Sequence, residues 1–154
     1  MSVQLPGWRV EVMHGVNLNV LHRREPAHYG GLSLLELERR IGGFAQQLGM
    51  RTRFFQSNAE GEFVERLHAL EGEADAVLLN AGAWSHYAWA IRDALEIAGL
   101  PAAEVHLSDV RSREPWRRVS IFDGLCVAQV SGLGADGYRV ALSALRKALD
   151  EAAG

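Results

Sequence analysis

Asp75 to Asn80 reads DAVLLN, four apolar residues in a row closed by an asparagine. A run without alternation suits a parallel strand covered on both faces. Ala81-Gly82-Ala83 follows as a turn, and Ser85 is placed to cap a helix to about Ala98, with His86 in its first turn and Asp93 two turns on. Upstream, Trp8 to Met13 is a short β-prone segment, with Val10 and Val12 alternating against Arg9 and Glu11, and it ends at the turn His14-Gly15. Ser33 to Leu48 reads as a helix. Ser33 and Glu36 form a capping box, Leu34, Leu37, Ile41, Phe44, Ala45 and Leu48 recur at helical spacing, and Gly49 stops it. Within it, Gly42-Gly43 suggests a close packing contact. Arg51 to Gln56 is a second strand, and Glu60 to Leu70 a second helix with Phe63, Val64, Leu67 and Leu70 inward. Downstream come strands at Ala102 to Val105 and Leu125 to Val130. A last helix runs from Asp136 to Ala152, with Tyr138, Val140, Ala141, Leu145 and Leu149 inward.

Strands that alternate with helices imply a five-stranded, doubly wound parallel sheet with helices on both faces, an α/β domain. The chain has 154 residues, which suits a single domain, 1–154. In such sheets ligands sit outside the carboxyl ends of the strands. Three of those ends carry polar residues. Strand one leads to Asn17 and a long segment, 16–31, that has no sustained period, contains Arg24, Pro26 and Tyr29, and ends in Gly30-Gly31. A connection of that length suits a lid over a polar ligand, and Pro26 disfavours a helix through its middle. Strand three ends at Asn80. Strand four delivers His106, then Ser108 and Asp109, into a loop with Arg111, Arg113, Arg117 and Arg118. A histidine leaving a strand into an arginine-rich loop suits a small anionic ligand, whose carboxylate Arg113 and Arg117 could bind.

The net charge of −3 argues against a nucleic-acid-binding domain. One cysteine, Cys126, excludes an intramolecular disulfide and a cysteine-rich zinc pattern, and its apolar setting suggests a buried, inert thiol. No apolar run approaches the roughly 18 residues of a membrane span, and MSVQLPGWRV lacks the pattern of a secretory signal, so the expected compartment is the cytoplasm. No spacing suits a metal. Gly132 to Gly137 matches GxGxxG, but a lone match at the last strand reads as a packing turn rather than a dinucleotide site.

Six ordered blocks then carry a family resemblance: HGVNLNVLHRREPAHYGG, FFQSNAEGEF, LLNAGAWSHYAWAIRDAL, AEVHLSD, SREPWRR and SGLGADGY. Along nearly its whole length the chain resembles the type II 3-dehydroquinate dehydratases. The resemblance implies a flavodoxin-like fold, a homo-dodecamer built as a tetramer of trimers, and a cofactor-free elimination of water from 3-dehydroquinate to 3-dehydroshikimate. It further implies Tyr29 as base, Arg24 as the lid arginine assisting it, His106 as acid, Glu104 as the carboxylate near that histidine, and Asn17 as holder of the enolate through a water. By the same resemblance Asn80, His86, Asp93 and Arg117 are substrate-binding, Leu107 and Ser108 hold the substrate carboxylate, and Arg113 belongs to the same loop.

The chemistry asks for such groups. A free tyrosine, with a pKa near 10, is a poor base at neutral pH, and lowering it by about three units corresponds to about 4 kcal/mol. A nearby guanidinium supplies that kind of stabilisation. Histidine titrates near neutrality and can protonate a leaving hydroxyl.

The chain also departs from the family's usual Asn-Gly-Pro-Asn, with His14-Gly15-Val16-Asn17, and has Asp109 where asparagine is usual. These changes point to two alternatives beside plain dehydroquinate dehydration: a substrate such as an amino-substituted dehydroquinate, or non-catalytic binding of a shikimate-like acid.

Overall fold

The computed structural model describes residues 7–154, so residues 1–6 of the stretch read as lacking a secretory signal lie outside it. Five strands, β1 (Trp8–His14), β2 (Met50–Gln56), β3 (Ala76–Asn80), β4 (Ala102–His106) and β5 (Ala128–Ser131), form one sheet in the order β2-β1-β3-β4-β5, with every neighbouring pair parallel. The helices are α1 (Pro26–Tyr29), α2 (Leu34–Gln47), α3 (Glu60–His68), α4 (Trp89–Ala98) and α5 (Asp136–Ala153). The sheet reverses its direction of growth between β1 and β3, where an open α/β sheet leaves a crevice.

Two apolar layers cover the sheet. On one face Leu37, Ile41 and Ala45 of α2 and Tyr138, Ala141 and Leu145 of α5 pack on Val10, Val12, Leu78 and Val105. On the other, Phe63 and Leu67 of α3 and Ile91, Ala94 and Leu95 of α4 pack on Met13, Val77 and Leu79. Side chains of this size contribute about 1.5–3 kcal/mol each when fully buried. All five residues of β3 are buried, as its unbroken apolar run requires.

β1 shows what alternation alone does not reveal. Glu11 reads as a solvent-facing residue, yet it is buried, because β1 lies inside the sheet with both faces covered. Its carboxylate accepts from Arg53 Nε at 2.7 Å and Arg66 Nε at 2.9 Å. Two guanidinium groups thus offset the desolvation of one buried charge.

Other boundaries differ from expectation for local reasons. Ser33 caps α2 as expected, its Oγ accepting the Glu36 N–H at 3.1 Å. Ser85 does not cap α4. It is buried in a 3-10 turn, Gly82–His86, and α4 begins only at Trp89, which moves His86 out of the helix. Segment 16–31 is not an open loop. It forms a 3-10 segment, Leu18–Arg23, anchored by buried Leu18 and Leu21, and then α1, where Pro26 stands in the first turn and its missing N–H costs nothing. Val140 is exposed, and Leu142 takes the inward position instead. A Cβ on Gly42 would come no closer than 3.9 Å to Thr52, and on Gly43 it would meet nothing, so that pair marks no tight contact. Gly137 does mark one: a Cβ there would lie 3.3 Å from Val130 and 3.4 Å from Val105, which makes the GxGxxG segment a packing turn.

A tight approach of two backbones lies at the carboxyl end of β1. Gly15 N–H donates to the Asn80 carbonyl at 2.7 Å, and a Cβ on Gly15 would fall 2.4–2.6 Å from backbone atoms of Ala81. Backbone cannot yield as a flexible side chain does. Gly15→Ala is expected to destabilise the fold by about 1–3 kcal/mol or more. A urea midpoint equal to wild type would show that the two strand ends are free to separate.

Candidate active site

The carboxyl ends of β1, β3 and β4 open into one cavity of about 310 Å³. Its polar lining comes from four parts of the chain: Asn17, Arg24 and Tyr29 from segment 16–31, Asn80 and His86 after β3, His106 and Ser108 after β4, and Arg113 and Arg117 from the loop beyond. Val16, Leu18, Val20, Leu21, Leu107 and Val110 supply apolar walls. The lining has three arginines, two histidines and no carboxylate. That balance favours a small anion with a polar ring or chain.

Tyr29, at the end of α1, is held from two sides. Its phenolic oxygen accepts from Arg24 Nη2 at 2.6 Å and from Arg113 Nη1 at 2.7 Å. The two guanidinium carbons stand 4.3 Å and 5.3 Å from the ring centroid. Guanidinium hydrogen bonds are strongest to an oxygen that carries negative charge. Arg113 also donates to Ser108 Oγ at 3.2 Å. The sequence sets Arg113 in the loop expected to meet the ligand's carboxylate; it lines the cavity, and the fold also brings it to Tyr29, 84 residues away. This pairing leaves no local sequence signal.

His106 has a different companion. Its Nε2 lies 2.8 Å from Glu104 Oε2, two residues back on the same face of β4. Glu104 is buried and lies behind the histidine, outside the cavity lining. Burial alone would raise the Glu104 pKa. Hydrogen bonds from His106, Gln129 and Ser120 outweigh that and hold it below the ordinary value. His86 stacks on His106 with ring centroids 5.8 Å apart. Its Nδ1 faces the Val119 carbonyl at 2.6 Å, so that nitrogen carries the proton. Burial is the main cause that lowers the His86 pKa, so the neutral ring is favoured.

Asn17 is the one non-glycine among the described residues with positive φ, 70°. Such a conformation persists where its surroundings enforce it. The Asn58 side chain does so, accepting the Asn17 N–H at 2.8 Å and donating to Asn19 Oδ1 at 3.1 Å. Sequence reasoning missed Asn58. Its place just past β2, the strand beside β1, was the available signal. Asn80 turns its Oδ1 to the Gly82 N–H at 3.0 Å. Leu107 and Ser108 line the cavity as expected. Asp93 does not: it is exposed on α4.

The departing residues lie outside the lining, except Val16. Asp109 is exposed and accepts the Arg111 N–H at 3.2 Å. His14 is fully buried, stacked on Phe54 at 6.1 Å, with Nε2 3.2 Å from Glu38 Oε2. Burial pushes the Cys126 thiol up to about 12, which makes it a poor nucleophile at neutral pH. Among the described residues no group of three or more His, Cys, Asp or Glu side chains could hold a metal ion, and no helix is long and apolar enough to cross a membrane.

A doubly wound parallel sheet with a cation-lined cavity at its carboxyl edge, lined by an arginine-clamped tyrosine and a carboxylate-backed histidine, defines a flavodoxin-like α/β protein with a cavity suited to a small anion. Comparison with known proteins narrows the class. Residues 8–146 match the family model described as dehydroquinase class II. The 3-dehydroquinate dehydratase of Syntrophotalea carbinolica is 46% identical over 137 residues, covering 88% of this chain and 93% of that one. The 3-dehydroquinate dehydratase 2 of Pseudomonas putida is 44% identical over 142 residues, covering 92% and 95%. The crystal structure of type II dehydroquinase from Butyrivibrio crossotus superposes with a TM-score of 0.86 at 33% identity, covering 90% of this chain and 97% of that one. The chain belongs to the class II dehydroquinase family, and with it to the hydro-lyases.

Because the Glu104 pKa is depressed in the fold, its ionised form contributes stability above the unfolded value of 4.5, and that contribution is lost as pH falls through the folded value. Glu104→Gln should therefore flatten part of the acid-side decline in stability. Urea midpoints from about pH 6 down to about pH 3 measure it. Parallel wild-type and variant curves would remove Glu104 from the account.

Proposed function

We propose that this chain is a type II 3-dehydroquinate dehydratase, with Tyr29 as base and His106 as acid. The observation that carries the reading is that the doubly clamped Tyr29 oxygen and the His106 ring line the same cavity, each with the partner its role needs. The ketone of 3-dehydroquinate acidifies the neighbouring carbon. Tyr29, as phenolate, takes the proton from that carbon, and Arg24 and Arg113 balance its charge. The electron pair passes to the ketone oxygen as an enolate, which Asn17 stabilises through a water. The enolate then collapses, the bond to the β-hydroxyl breaks, and His106 gives its proton so that water leaves. Tyr29 ends protonated and His106 neutral, and exchange with solvent resets both.

Ser108, the Leu107 backbone and Arg117 bind the substrate's carboxylate, and Asn80 and His86 orient its ring hydroxyls. The exposed Asp109 adds no negative charge to the cavity wall, which favours the ordinary substrate over a retuned one. Asp93, exposed on α4 beside Trp89 and Ile97, which are 62% and 72% exposed, reaches substrate only through contact with another copy. The dodecamer that the family resemblance implies would supply such contacts, and light scattering would read it as twelve chains of 16.9 kDa.

Elimination conjugates a new double bond to a carbonyl, so rising ultraviolet absorbance with 3-dehydroquinate and no added cofactor is the direct assay. Tyr29→Phe and His106→Ala should each lower kcat by about 10²–10⁴-fold with the fold intact. Near-wild-type turnover in either would end that residue's assignment. Arg117→Ala should raise KM by about tenfold or more, the value of one charge-assisted hydrogen bond. An unchanged KM would take Arg117 out of carboxylate binding.

A further inference from the structure

The two oxygens of the Glu104 carboxylate face different partners. Oε2 meets His106 Nε2. Oε1 accepts from Ser120 Oγ at 2.7 Å and from Gln129 Nε2 at 2.9 Å. Gln129 lies opposite Glu104 in the β4–β5 register, and its Nε2 also donates to Asp123 Oδ1 at 2.7 Å. Of the two amide groups only the nitrogen can donate to two carboxylates at once, so chemistry sets the orientation of that side chain. Ser120 Oγ accepts the Phe122 N–H at 3.1 Å, which leaves its own proton for Glu104. A second cavity of about 160 Å³ opens on this side, lined by Glu104, His106, Ser120, Asp123 and Gln129.

We propose that Ser120 and Gln129 are positioning residues for the dehydration: by donating to Oε1 they keep Glu104 an acceptor, which holds the His106 ring with Nε2 protonated and Nδ1 turned to the substrate. A buried carboxylate without donors favours its neutral form. Neutral Glu104 would donate to Nε2 instead of accepting from it, and the imidazolium needed for the acid step would lose its counter-charge. The other charged or titratable groups facing the pair are His86, stacked on His106, Arg111, Arg117 and Arg118 around the second cavity, Asp123 beyond Gln129, and Cys126, whose thiol feels the Glu104 charge. None of them is hydrogen-bonded to Glu104. The proposal rests on His106 being the acid.

The test combines steady-state kinetics with NMR of protein carrying nitrogen-15 histidine, the His106 signals being assigned by their loss in His106→Gln. In wild type at neutral pH the His106 Nε2 signal should stand at its protonated position. Ser120→Ala and Gln129→Met, made singly so that one misfolded variant does not end the experiment, should each move that signal towards the unprotonated position. Each should lower kcat on the order of tenfold or more with KM within about twofold. Ser120→Thr, which keeps the hydroxyl, should restore both readings. An unmoved Nε2 signal in both variants, or a kcat loss that Ser120→Thr shares with Ser120→Ala, would overturn the proposal. The NMR reading needs no turnover, so a wild-type protein inactive on 3-dehydroquinate would sink the dehydratase reading while the positioning of His106 was still being measured.

Discussion

The molecule depends on the contact between the ends of β1 and β3, where the Gly15 N–H meets the Asn80 carbonyl at 2.7 Å and no side chain fits between. Gly82, at φ 62°, approaches the Val16 carbonyl from the other strand's turn. Two glycines therefore let two backbones close at the point where the sheet changes its direction of growth. Asn17 leaves one side of this junction in a left-handed conformation, and Asn80 and the His86 turn leave the other. The ligand cavity is the space those departing chains enclose.

Charge is then sorted by depth. The cavity wall carries cations and no carboxylate, while Glu104 stands behind His106, where it meets the ring but does not line the cavity. The cations Arg24, Arg113 and Arg117 therefore face the cavity with no carboxylate of the wall among them. Tyr29 joins segment 16–31 to the loop after β4 through Arg113, so one hydrogen bond fastens that segment beside the cavity it lines.

Much of this was legible in the residues. The strand and helix order, the parallel sheet, and the convergence of Asn17, Asn80 and His106 at one edge followed from apolar patterning and the βα alternation. Tyr29, Arg24, His106 and Glu104 were named from the family resemblance, and the fold places them in and directly behind the cavity. Local errors arose where burial overrode pattern. The alternation of Val10 and Val12 against Glu11 does not tell an internal strand from a half-exposed one, and Glu11 is buried. Ser85 was read as a cap, but a buried 3-10 turn came between it and the helix. Segment 16–31 was read as unstructured because Leu18 and Leu21, too few to make a period, fold it onto the core.

What the sequence by itself determined was the kind of elements, their order and the edge of the sheet that carries chemistry, because those depend on periodicity and on residues close together in the chain. Which groups touch was decided only by tertiary structure. The Arg113–Tyr29 bond spans 84 residues, Asn58 pins Asn17 from across the sheet at a separation of 41, and Gln129 reaches Glu104 through strand register at a separation of 25. Hydrogen bonds act over about 3 Å, and no pattern along the chain records which distant donor the packing of two helical layers will bring within that reach.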